Sequence, residues 1–174
     1  MAAALNAFMQ IGGAEGEAKQ APYDKPPWIE LQAWDWEVEA ETSWTKGGGA
    51  AVGKPSPGRL NWEHNFDRSS NTILSYICTG KSFPNVTLEM CKSTGGGKRQ
   101  AFFTIKMEEV FITKVSQSAT DEGNVSQKVE MVFKKIVIDY FQQGTQSSSP
   151  GALSPAGTFE WDIPSGSASP DVGG

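Results

Sequence analysis

Histidine is almost missing from this chain of 174 residues, which has only His64. That scarcity removes most histidine-ligated metals and any serine–histidine–aspartate triad of the usual kind. Cysteine is nearly as scarce. Cys78 and Cys91 stand alone with no CxxC spacing, so two unpaired thiols in a reducing compartment are expected. Positive charge also runs short. A formal charge of −5 has the wrong sign for the phosphates of nucleic acid or for an anionic membrane surface. No apolar run approaches the roughly 18 residues that span a bilayer. The N-terminus, Met1-Ala-Ala-Ala-Leu-Asn6, has neither a basic start nor a long apolar stretch. Synthesis in the cytoplasm follows, with any export by a route that needs no signal peptide.

What the chain does have is glycine (19), proline (10) and six tryptophans, a composition suited to many strands joined by turns. Its length fits one domain, which buries roughly 70% of its unfolded surface without a disulfide or metal. Phe8–Ile11 reads as a short strand ending at Gly12-Gly13. Ile29, Leu31 and Ala33 alternate with polar residues, and from Trp34 the apolar phase moves by one, through Trp36, Val38 and Ala40. A period-two pattern keeps its buried face through such a slip by inserting a residue, so a β-bulge is expected at Ala33–Trp34. Leu60, Trp62, His64 and Phe66 form another strand. Between Asp67 and Gly80 the period changes to that of a helix, with Ser69 or Ser70 as cap and Ile73, Leu74, Ile77 and Cys78 as one apolar stripe.

Val86, Leu88 and Met90 alternate next. Phase slips again at Glu108–Glu109 and at Lys134–Lys135. Three slips in three long strands indicate strongly bent strands, as a closed or nearly closed antiparallel barrel requires. The barrel domain is expected over residues 1–141, with a long patternless loop at 44–59. A Ser/Pro/Gly-rich linker follows at 142–157, then an added edge strand at 158–163 and a disordered tail at 164–174.

The candidates for chemistry fail one by one. Gly48-x4-Gly53-Lys54 suggests a phosphate-cradling loop, but Pro55 replaces the required Ser or Thr and no helix follows. Asp35, Glu37, Glu39 and Glu41 form a carboxylate stripe. Same-face strand neighbours stand roughly 7 Å apart, too far to converge on Ca²⁺ at about 2.4 Å, so a solvated acidic face is expected. His64 sits in phase with Leu60, Trp62 and Phe66, as a partly packed residue near the barrel end. Glu108 and Glu109 have a structural reason in the bend, and Cys78 is expected to face the core without a base beside it. No catalytic, cofactor or metal residues are therefore assigned.

The last long strand carries large apolar groups on both faces, since Val132, Val137 and Phe141 oppose Phe133, Ile136, Ile138 and Tyr140. A single barrel buries only its inner face, so Val132, Val137 and Phe141 are assigned to a contact between copies.

With these segments in order, the chain closely resembles the haemolysin-coregulated protein (Hcp) family, the inner-tube subunit of bacterial type VI secretion systems. The stretches that carry the likeness are Ile11-Gly-Gly-Ala-Glu-Gly-Glu-Ala-Lys19, Ile29-Glu-Leu-Gln-Ala-Trp-Asp-Trp36, the Gly-rich loop and Phe66-Asp-Arg-Ser-Ser70. Cys78-Thr-Gly-Lys81, Thr104–Ile112 and Val129–Tyr140 continue it, with a weaker match at Phe159–Ile163. The chain departs at Lys25-Pro-Pro27, in the acidic stripe at 35–41 and in the Ser/Pro-rich stretch before Phe159. The resemblance implies a mainly β fold, an antiparallel barrel of two sheets with one short α-helix, closing into a homo-hexameric ring. Rings would stack into a tube that works with contractile sheath and spike proteins, carries small secreted effectors in its lumen and needs no cofactor. By position, Trp44–Arg59 would be the loop that reaches the next ring, with Trp44, Lys46, Gly47, Gly48, Gly49, Val52 and Lys54 as its contacts. A tail-tube protein of a phage or extracellular injection device shares that architecture, and a monomeric barrel holding an apolar ligand is the alternative of a different class.

Overall fold

The computed structural model describes residues 5–45, 48–94, 98–143 and 153–169. Period-two patterning makes strands of most of them: β1 (Ala7–Ile11), β2 (Ile29–Asp35), β3 (Val38–Thr45), β4 (Gly49–Pro57) and β5 (Leu60–Asn65). After helix α1 (Arg68–Thr79) come β6 (Ser82–Thr94), β7 (Lys98–Ala119), β8 (Val125–Gln143), β9 (Leu153–Asp162) and β10 (Ser167–Ser169). Six strands close a barrel in the order β8-β5-β2-β1-β6-β7 and back to β8. β8 has length enough for three partners. Its Ser126–Met131 stretch pairs with β5, Lys135–Gln143 pairs with β9, and β7 pairs along nearly the whole of β8. The inward side chains, among them Ile29, Leu31, Leu60, Leu88, Ile105, Met107, Met131 and Ile136, are fully buried and fill the interior, as a barrel of this size allows.

The first phase slip lies one step earlier than expected, where the β2–β5 register shifts between Leu31 and Ala33. The other two are not register bulges. Phe83, Val110 and Phe133 align across β6, β7 and β8, and so do Asn85, Glu108 and Lys135, with no shift between the two rows. All three strands slip together. Phe83 and Val86, Val110 and Met107, and Phe133 and Ile136 are buried on either side of exposed Pro84, Glu109 and Lys134. Glu109 takes a left-handed φ of 48° and ion-pairs with Lys134. The sheet is creased along one row, so the slips cancel in the pairing.

Asp67, rather than Ser69 or Ser70, caps α1. Its side chain accepts from the Ser69 backbone N–H, and the Ser70 hydroxyl closes the box by accepting from the Asp67 N–H. Gly80 ends the helix in the left-handed region, as a C′ glycine does. Ile73 is buried against the barrel and Tyr76 stacks on Phe83 at 3.9 Å. Cys78, expected to face the core, is exposed on the far side.

Three expectations about irregular chain are corrected. Over 44–59 the structure has β4 paired with β3 from Val38–Pro57 to Thr45–Gly49. Small residues hid the strand because backbone pairing needs no side-chain alternation; prolines are tolerated on a strand with only one partner. For the same reason β9 begins at Leu153, inside the expected linker, although Ser154–Thr158 are exposed. Ser167–Ser169 then turns back to pair with Glu160–Asp162, inside the expected disordered tail.

Candidate functional site

The ribbon β3–β4 forms a sheet of its own beside the barrel sheet. Every residue of β4 is exposed, including the apolar Val52 at 71%. Of the expected contact residues, Trp44 lies in β3 opposite Ala50, Gly48 lies in the turn, and Gly49, Val52 and Lys54 lie in β4. Lys46 and Gly47 fall outside the described residues. The acidic stripe is split: Asp35 ends β2 and accepts from Asn61 at 3.0 Å, while Glu37, Glu39 and Glu41 run exposed into the ribbon. Gly53 and Lys54 belong to a strand, so the phosphate-loop geometry does not arise.

At its root the ribbon is fastened. Trp36 Nε1 donates to the Gly58 carbonyl at 3.1 Å, and the Gly58 N–H donates to the Glu37 carbonyl at 2.9 Å. The Trp36 ring packs on Phe133, with centroids 5.9 Å apart. A Cβ on Gly58 would stand 2.6 Å from the Glu37 oxygen, so the two connections approach as closely as glycine permits.

Val132, Val137 and Phe141 are each half-buried on β8. Val132 pairs across β7 with Phe111, which is 37% exposed and extends the apolar face. Val137 lies between Lys106 of β7 and Glu160 of β9, and Phe141 follows a register shift opposite Pro155.

A buried polar cluster joins the barrel floor to α1. His64 is fully buried, not partly packed. Its Nε2 lies 2.7 Å from Gln127 Oε1 and its Nδ1 3.7 Å from Asp67 Oδ2. Gln127 Nε2 in turn donates to the Ser70 carbonyl and to Gln117 Oε1, which fixes its oxygen toward His64. The carboxyl of Asp67 is pushed up by burial, but the facing His64 imidazole and the hydrogen bonds from Ser69 outweigh this and hold it below its ordinary value. Gln127 was missed in the sequence, yet it stands in phase with Val129 and Met131, and a polar residue at an inward position signals a buried partner.

A second cluster, of Phe8, Ala18, Tyr23 and Cys91, covers the outer face of β1 and β6. Tyr23 stacks on Phe8 and donates to Glu89 at 2.9 Å. Among the described residues no group of His, Cys, Asp and Glu is arranged to hold a metal, and no helix is long and apolar enough to cross a membrane.

A closed barrel with one capped helix and a projecting ribbon has known counterparts. The model of the family described as type VI secretion system effector, Hcp, matches residues 8–140. The chain belongs to the Hcp family. This Hcp protein is thus a tube subunit of type VI secretion, a structural protein exported by that system. Its fold is similar to a solved "type six secretion system protein" at 22% identity and a TM-score of 0.81, covering 95% of this chain and 99% of the other. Hcp1 from Salmonella typhimurium is similar at 24% identity and a TM-score of 0.72, over 95% and 99%. A type VI secretion system effector from Yersinia pestis is similar at 25% identity and 0.67, over 90% and 99%. No curated protein matched the chain in a search by sequence.

Proposed function

We propose that this Hcp protein assembles as a homo-hexameric ring whose copies stack into a tube, and that it acts as a structural and carrier subunit rather than an enzyme. The observation that carries the reading is the ribbon. A two-stranded sheet is marginal by itself in water, and β4 is exposed along its whole length. Such an arm is accounted for by a partner that it reaches, and the next ring is that partner. The outer face of β8 around Val132, Val137 and Phe141 serves the contact within a ring, because its apolar groups face away from the filled interior. Small effectors travel in the lumen, and sheath and spike proteins are the other partners.

Native mass spectrometry with negative-stain microscopy tests the reading. Rings with a mass six times the 18.8 kDa of one chain are expected. A clean monomer at high concentration overturns the ring. Removal of Gly47–Gly53 is expected to leave rings and abolish tubes, and tubes of normal length from that variant overturn the role of the ribbon.

A further inference from the structure

The ribbon's use as an arm depends on where it points, and little of it touches the barrel. Over nine residues β4 reaches about 27 Å at the usual rise of a strand, so a tilt of roughly 10° at the root displaces the tip by about 5 Å. A displacement of that size removes the tip from any fixed seat. Direction therefore has to be set where the ribbon leaves the barrel, between Asp35 and Val38 on one side and between Pro57 and Leu60 on the other.

We propose that Trp36 and Gly58 are positioning residues that fix the direction of the ribbon and so decide whether rings stack. This rests on the reading of the ribbon as the stacking arm. Three contacts oppose three motions. The Trp36 indole packed on Phe133 ties the outgoing strand to β8. The indole N–H on the Gly58 carbonyl ties the returning strand to the same ring. The Gly58 N–H on the Glu37 carbonyl holds the two connections side by side. Glycine is required at 58 because a Cβ 2.6 Å from the Glu37 oxygen forces the connections apart. The clamp lies outside the fully buried core, for Trp36 and Gly58 are both half-buried. Its loss changes direction more than stability.

Trp36→Phe keeps the ring against Phe133 and deletes the N–H, and Gly58→Ala wedges the root. Spin labels at the exposed Cys78 and at Ala51→Cys report direction through their distance distribution. The parent gives one narrow distribution, and each clamp variant shifts it by several ångströms or broadens it at least twofold, with rings intact and tubes lost. An unchanged distribution in both variants overturns the positioning role. Loss of rings together with tubes in both variants also overturns it, because the clamp is then part of the fold. The variant lacking Gly47–Gly53 separates the two ideas. If it forms tubes, the stacking reading fails and the inference with it. If it forms rings only while the clamp variants stack normally, the inference alone fails.

Discussion

Replacing Asp67 unfastens α1 where it meets the barrel. The carboxylate accepts from the Ser69 N–H at 2.9 Å and from the Ser69 hydroxyl, and it faces His64 Nδ1 at 3.7 Å. Loss of an N-cap costs about 1 kcal/mol. Leaving the buried Ser69 hydroxyl without its acceptor costs roughly another 1 kcal/mol. Asp67→Ala is therefore expected to lower stability by about 2 kcal/mol at neutral pH. Asp67→Asn keeps an acceptor oxygen and caps equally well, so it isolates the charge. The folded carboxyl titrates below its ordinary value. Its charge thus stabilises the fold above the unfolded value, near pH 4, and that contribution is lost as pH falls through the folded value. The gap between parent and Asp67→Asn is present at pH 7 and closes in acid, while part of the Asp67→Ala gap persists. Urea unfolding read by tryptophan fluorescence, at dilutions where the midpoint no longer depends on concentration, measures both. An Asp67→Ala loss within about 0.5 kcal/mol of zero, the range of ordinary surface changes, refutes the cap. An Asp67→Asn gap that widens in acid refutes the sign.

Exposed Cys78 is expected to react with a thiol reagent in the native protein. Buried Cys91, whose thiol is pushed up by burial, reacts only on unfolding, and two equally fast thiols refute this. Trp161→Ala empties a buried site on β9 and is expected to cost about 3–5 kcal/mol in urea unfolding, whereas a loss under about 1 kcal/mol would detach β9 from the core. At the crease, Glu109→Val places a β-branched residue at φ 48° and is expected to destabilise by about 1–2 kcal/mol more than Glu109→Gly; the reverse order refutes the left-handed geometry. Val132→Lys is expected to abolish rings while leaving the unfolding midpoint of the monomer within a few degrees of the parent, and intact rings remove Val132 from the interface.

What the sequence reveals depends on where side chains do the work. Alternation located β2, β5, β6, β7 and β8, and the change of period located α1, because in these elements one face is buried and the other wet. The crease was legible as slips at Glu108–Glu109 and Lys134–Lys135, but not as a single feature, since only pairing reveals that neighbouring strands slip together. β4 and the start of β9 were illegible for the opposite reason. Gly49–Pro57 and Ser154–Thr158 are held by backbone pairing with their side chains in solvent, so no pattern is imposed on them. The ribbon's expected contact residues were placed in a loop, whereas the structure carries Trp44, Gly49, Val52 and Lys54 on strands and Gly48 in a turn. Trp36 was read only as one more apolar position. Its indole N–H to Gly58 joins residues 22 apart, and no local rule specifies that pair.

The crease also explains why β8 shows large groups on both faces. A straight strand with one buried face alternates throughout. Where the sheet folds, Lys134 and Lys135 turn outward in succession, and the inward series resumes at Ile136 after Phe133. Val132 and Val137 thus belong to one outward face broken by the fold, and lie on two panels that meet at an angle. Val132 faces out beside Phe111, while Val137 lies between Lys106 and Glu160. Pairing Lys135 with Glu160 at 2.6 Å and Glu109 with Lys134 keeps charge along the fold line itself. The apolar residues are left to the panels on either side. A ring built from identical copies needs each copy to present two different surfaces, one to each neighbour. One creased strand gives the barrel two outward directions without interrupting the ladder that closes it.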